Sequence, residues 1–148
     1  MEKILKEILN CSKHLDIVSP IPIDEINKFE VDNHLLLPKD LKTLLTYFDG
    51  GEILVPGPII YGIRENINRQ QIKQANSIEN RRVFSIPNNY LIIAKLNYGD
   101  LICINLNEPF DIIQWDHETD SLYCSWDSLS EWLVDNIESF KQFEEDEQ

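Results

Sequence analysis

YLIIAKLNYGDLICINL, residues Tyr90–Leu106, decides the architecture. Two short apolar runs, YLIIAKL and LICINL, flank Asn97-Tyr98-Gly99-Asp100. Short apolar runs bounded by turn residues read as strands, and a glycine free to take positive φ closes them into a hairpin. DIIQW, from Asp111 to Trp115, supplies a third strand, so an antiparallel meander is expected here.

Toward the C-terminus, Ser128 and Glu131 stand at the S-x-x-E spacing of a capping box, in which each side chain satisfies a backbone N–H that the first helical turn leaves orphaned. Leu129, Trp132, Leu133, Ile137 and Phe140 then form a stripe at helical period. This helix is expected to dissolve at FEEDEQ, giving a flexible acidic tail over about 141–148. Toward the N-terminus, EILV and IIYGI, broken by Pro56, Gly57 and Pro58, read as strands joined by a tight bend. Between them and Tyr90, the polar stretch 64–82, with thinly spread apolar residues, reads as a surface helix.

Before Gly50-Gly51 the period is helical. In LLLPKDLKTLLTYFDGG, Pro38 suits a first turn, Leu41, Leu44, Leu45 and Phe48 share one face, and Gly50 suits the left-handed conformation that ends a helix. Asp24 is the expected cap of a shorter helix carrying Ile26 and Phe29, and residues 2 to about 14 form another, stopped by Pro20 and Pro22. Strands in the middle with helices before and after define an α+β class, as one domain over residues 1–148.

Composition narrows the function. With 43% hydrophobic and 26% charged residues the chain is globular rather than disordered. Cys11, Cys103 and Cys124 are odd in number and lack C-x-x-C spacing, so they read as free thiols of a reducing compartment. MEKILKEILN interleaves charge with apolar residues, unlike a signal peptide or membrane span, which places the protein in the cytoplasm with no membrane partner. The formal net charge of -13 repels nucleic acid and favours encounter with basic proteins.

No phosphate-binding loop, dinucleotide fingerprint, H-E-x-x-H or G-x-S-x-G occurs, so no catalytic residue and no cofactor is expected. His14 and His34 stand far apart in sequence, and Cys103 and Cys124 read as buried, inert thiols. IQWDHETD, Ile113–Asp120, is the one stretch dense in potential ligands. Asp116, Glu118 and Asp120 imitate the first positions of a calcium loop, but Ser121 stands where glycine should bend it and Asp127 where a bidentate glutamate belongs. No second zinc ligand stands near His117 at a zinc spacing, so a turn between strands, holding no metal, is expected.

In this order the pieces resemble the SUKH superfamily. FEVDNHLLLPKDLKTLLTYFDGG matches its short helix, Leu-Pro-x-Asp step and helix ending in Asn-Gly-Gly, with Asp49 in place of the asparagine. GDLICINL is similar to its Gly-Asp strand, IIQWDHETD to its Trp-Asp hairpin, and DSLSEWL to the entry of its last helix, where Leu129 stands in place of the commoner aromatic. The likeness spans about Asp24 to Val134. It implies a mixed or antiparallel sheet with N-terminal and C-terminal helices packed on it, and a non-enzymatic role. Most bacterial members resemble immunity proteins that neutralise a toxin domain, often a basic nuclease; others resemble cell-wall assembly regulators that act as interaction scaffolds.

An inhibitor of a nuclease needs carboxylates that mimic phosphate around a small apolar anchor, because nucleases present cationic clefts. The expected partner-binding residues are Trp115, Asp116, Glu118 and Asp120 of the hairpin, with Glu52 and Glu65 from neighbouring loops. For Trp115 the competing reading is core, since a strand tryptophan is more often buried than an anchor.

Overall fold

The structure, a computed structural model, describes residues 1–147. Seven strands pair in chain order as one antiparallel sheet: β1 (Asp16–Ile17), β2 (Gly51–Glu52), β3 (Ile59–Ile60), β4 (Tyr90–Lys95), β5 (Leu101–Asn105), β6 (Ile112–Asp116) and β7 (Ser121–Trp126). Of the two arrangements expected, the antiparallel one is found. Six helices accompany it among the described residues: α1 (Glu2–Leu9), α2 (Ile23–Asp32), α3 (Lys39–Tyr47), α4 (Ile72–Ala75), α5 (Ile78–Arg81) and α6 (Leu129–Asp146).

The strand runs are continuous rather than alternating because both faces are covered: Leu91 through Ala94 and Leu101 through Ile104 are all buried. The expected helical stripes form the rest of the core. Leu41, Leu44, Leu45 and Phe48 are each at most 1% exposed, and Trp132, Leu133 and Ile137 of α6 join them. Helix α6 packs against α1 and α3 and lies beside β7.

Several boundaries differ from the sequence reading, each for a local reason. Helix α1 stops at Leu9; the chain then makes a 3-10 turn, Ser12–His14, that lets the His14 carbonyl accept from Val55 N–H at 2.8 Å. Pro22, not Asp24, takes the cap position of α2, and Asp24 falls in the first turn, where a carboxylate favours the helix dipole. Pro38 likewise caps α3 from outside it. Gly50 does take positive φ (81°), but α3 has already ended at Tyr47, and a Cβ on Gly50 would meet Gly62 N and Ile60 O at 2.6 Å. It serves the close approach of backbone to backbone at the start of β2.

The surface helix expected over 64–82 is two single turns, α4 and α5. Asn76 breaks them apart because its side chain acts as a strand residue: Oδ1 accepts Ile92 N–H and Nδ2 donates to Ile92 O, both at 2.8 Å. Strand β3 is only two residues long and leaves that part of β4 uncovered. Arg81 closes the next carbonyl, Tyr90 O, at 2.7 Å.

At the other end, Ser128 Oγ accepts Glu131 N–H at 3.2 Å as expected, while Glu131 Oε2 accepts from Asp127 N–H at 3.1 Å rather than from Ser128. Helix α6 does not dissolve at FEEDEQ; it runs to Asp146. Gln148, the last residue of the expected tail, lies outside the described residues.

Candidate functional site

The turns of a meander alternate between its two ends. The β2–β3, β4–β5 and β6–β7 turns therefore share one end, with Glu52, Ile59, Lys95, Leu101 and Trp115 in one cross-strand row. Asp116, Glu118 and Asp120 lie at this end, and Glu52 shares it four strands away. Glu65 does not: it follows β3 into the connection that starts from the opposite end. Its side chain is exposed there, apart from the other five.

The hairpin residues are brought together, but most serve the hairpin itself. Asp116 Oδ1 accepts the N–H groups of Glu118 and Thr119 at 2.8 and 3.1 Å, the hydrogen bonding that shapes an Asx turn. Asp120 sits at φ 51°, and its carboxylate accepts Ser85 N–H (2.8 Å), Ser85 Oγ–H (2.6 Å) and Trp115 Nε1–H (2.9 Å). The Ser85 and Trp115 donors hold the Asp120 carboxyl below its usual range. Trp115 is 7% exposed, so in the free protein its ring is core. Glu52 accepts from Gly57 N–H at 3.1 Å and ties down the β2–β3 loop. Glu118 alone among the hairpin acids projects freely, with a side chain 83% exposed and His117 Nε2 3.9 Å away.

Beneath this turn lies a buried network. Asp100, 6% exposed, accepts from Gln114 Nε2 (2.8 Å) and from His117 N–H (3.1 Å), and its Oδ1 lies 2.6 Å from His117 Nδ1. Gln114 Nε2 also donates to the Tyr98 hydroxyl at 3.0 Å. Burial raises the Asp100 pKa, but these hydrogen bonds outweigh it and hold the carboxyl below its ordinary value. The Asp100 carboxylate thus stitches the β4–β5 turn to the β6–β7 turn. Gly99, at φ 106°, is required beside it, because a Cβ there would stand 2.9 Å from His117 Nε2.

Asp100, Asp116 and His117 place one ligand atom each within 4.8 Å of one another, the grouping a metal would need. Asp100 Oδ1, Asp100 Oδ2 and Asp116 Oδ1 already accept the N–H groups described. Among the described residues no hydroxyl or thiol hydrogen-bonds His117 Nε2. Burial pushes the Cys103 thiol up to about 12 and raises that of half-buried Cys124. His14 is interfacial, its Nε2 2.9 Å from Glu144 Oε1 and its ring edge-on to Phe140 at 4.9 Å.

Outside the hairpin, the distribution of charge is the feature that whole-chain composition conceals. Residues 1–99 contain 12 Asp and Glu and 12 Lys and Arg; residues 100–148 contain 14 acids and a single base, Lys141. The entire net charge of -13 therefore resides on the segment that forms β5, β6, β7 and α6. Set within it are exposed Leu122 (53%), Tyr123 (67%) and Val134 (36%), with Tyr98 (60%) beside them across the Asp100 network. A shallow groove between β7 and α6 is lined by Trp126, Glu131, Val134, Asp135 and Glu138. Exposed apolar side chains thus stand among the acids of this segment, Leu122 opposite Trp115, Tyr123 beside Tyr98, and Val134 in the groove along α6.

Residues 20–135 match the family model described as SMI1 / KNR4 family (SUKH-1), and the chain belongs to that family. No curated protein matches the chain. No helix among the described residues is long and apolar enough to cross a membrane.

Proposed function

We propose that this SUKH-1 family member is an immunity protein, which binds a toxin domain and neutralises it by covering a cationic active-site cleft, with a nuclease as the toxin class. The observation that carries this reading is the concentration of all 13 net negative charges on residues 100–148, around exposed Leu122, Tyr123 and Val134. Surplus carboxylates on one side of a fold cost stability through self-repulsion, and a cationic partner offsets that cost. Enzymes that act on nucleic acid carry such cationic clefts.

In this mechanism the acidic field raises the encounter rate, and exposed apolar side chains set among the acids supply the contacts that hold the complex. Glu118 is the hairpin's phosphate mimic. Asp116 and Asp120 act by holding the turn that presents it, so alanine at all three positions would confound turn geometry with charge, whereas Glu118→Gln removes charge alone. The role needs no catalytic group and no cofactor, and three free thiols suit a reducing cytoplasm.

The test is growth of cells in which the gene adjacent to this one is induced, with and without this protein. Arrest that this protein relieves, together with a purified complex whose association slows as salt rises, is the expected result. An endogenous partner recovered from unstressed cells, with no arrest by the neighbouring gene, would replace the immunity reading with that of a scaffold.

A further inference from the structure

The edges of the sheet are treated differently. Where β3 leaves β4 uncovered, Asn76 and Arg81 take up the free Ile92 and Tyr90 groups. Strand β7 pairs only with β6, and among the described residues no backbone or side-chain group bonds the N–H and C=O groups on its outer side. Its sequence, SLYCSW, contains no charge and no proline, and Ser121, Leu122, Tyr123 and Ser125 are exposed. Natural sheets blunt such an edge with lysine, proline, a bulge or a covering element, because it is a template for another strand. Of these β7 has only the bulge, at Tyr123, where the register with β6 shifts.

We propose that the outer edge of β7 is a docking rail on which an extended, cationic segment of a protein partner pairs as an eighth strand. Main-chain hydrogen bonds to the edge supply affinity in strand addition of this kind, and side chains of the added strand supply specificity. Charge selects the occupant. Asp116, Glu118 and Asp120 stand at one end of β7, and Asp127, Glu131 and Asp135 at the other. A second copy of this chain, pairing SLYCSW with itself, would bring those two acidic clusters against their counterparts, and opposed like charges destabilise a strand pair. A segment with lysine or arginine near both ends meets the opposite charge instead. The inference rests on the reading of this chain as a protein-binding module, not on the partner being a toxin.

Amide hydrogen exchange on the whole protein tests it with three synthetic ten-residue peptides: alternating Lys and Val, alternating Glu and Val, and alternating Lys and Pro. The Lys–Val peptide is expected to slow exchange of outward-facing β7 amides about tenfold or more, while the Glu–Val peptide is repelled and the Lys–Pro peptide, lacking alternate N–H donors, gives no protection. The double variant Leu122→Lys, Tyr123→Lys changes only exposed side chains and should abolish the effect. Absence of β7 protection, equal protection by the Lys–Pro peptide, or protection that rises with protein concentration in the absence of peptide would each overturn the proposal. Growth relief separates the two readings: relief without β7 protection by the Lys–Val peptide keeps immunity and removes the rail, whereas β7 protection without relief keeps the rail and removes immunity.

Discussion

Residues 1–99 and residues 100–148 use charge in opposite ways. In the first region, acids and bases balance, and many are consumed internally: Arg64 grips Glu25 through two hydrogen bonds of 2.9 and 2.7 Å, Lys42 reaches the buried Glu30 at 2.7 Å, and Arg69 pairs with Asp16. Three of the five cations in the polar stretch 64–82, namely Arg64, Arg69 and Arg81, are tied to other parts of the fold in this way. In the second region, 14 acids face one base, and that base, Lys141, is itself held by Glu7 of α1 at 2.6 Å. Balanced charge is paired within the first region, whereas the second carries acids with almost no base to pair them.

Four variants sharpen or break this contrast. The largest effect is expected from Trp132→Ala, which removes a side chain only 2% exposed where α6 meets the core and should cost about 3–5 kcal/mol in urea denaturation. Loss of both regions in a single transition would show that opposite charge usage resides in one cooperative unit; loss of α6 alone would split the comparison into two modules. Next, Glu30→Ala leaves the Leu37 N–H without its acceptor and the Lys42 ammonium with only Asn27 Oδ1, and should cost about 2 kcal/mol by the same measurement. A neutral result would remove internal pairing as the purpose of charge in the first region.

Asp100→Asn comes third, at about 1–2 kcal/mol near neutral pH. Because the folded Asp100 carboxyl titrates below its ordinary value of 3.8, its contribution is complete above that value and is lost as pH falls through the lower folded one. Wild-type and variant denaturation curves should therefore converge in acid. A gap that persists there would mean that Asp100 acts through shape and not through its charge. The smallest effect on stability, within about 0.5 kcal/mol, is expected for Glu131→Gln, Asp135→Asn and Glu138→Gln combined, since the amides preserve the acceptors used by Asp127 and Trp126. Stopped-flow association with the proposed toxin partner should nevertheless slow and lose salt dependence. Unchanged kinetics would make the surplus charge a matter of solubility alone.

How much of this was legible in the sequence depends on element length. Strands β4, β5 and β6 and helix α6 are long and patterned, and each was found within a residue or two of its observed position apart from the end of α6. Strands β1, β2 and β3 have two residues each, too few for any period to show. SLYCSW carries exposed polar and aromatic residues on an edge, so it lacks the apolar run that marks a covered strand. At the hairpin, residue types were visible but partners were not: Asp120 reads as a free acid until Ser85, 35 residues earlier, is found against it. Asp100 passed as a turn residue, although its glycine neighbour and the strand entry marked it. The asymmetry of charge was present in the sequence throughout, and only a count along the chain, rather than over it, reveals it.

Because spatial order in the sheet follows chain order, most strands find their partner in the element completed just before them, which keeps contacts local and favours rapid folding. Helix α6 is the exception. It closes over α1 and α3, elements made more than eighty residues earlier, and until it arrives Leu5, Ile8, Leu41 and Leu44 lack part of their cover. The segment that completes the core is therefore also the one that carries the surplus charge, and so the repulsion between finished copies. A chain lacking residues 100–148 would be sticky and nearly neutral, the combination that aggregates.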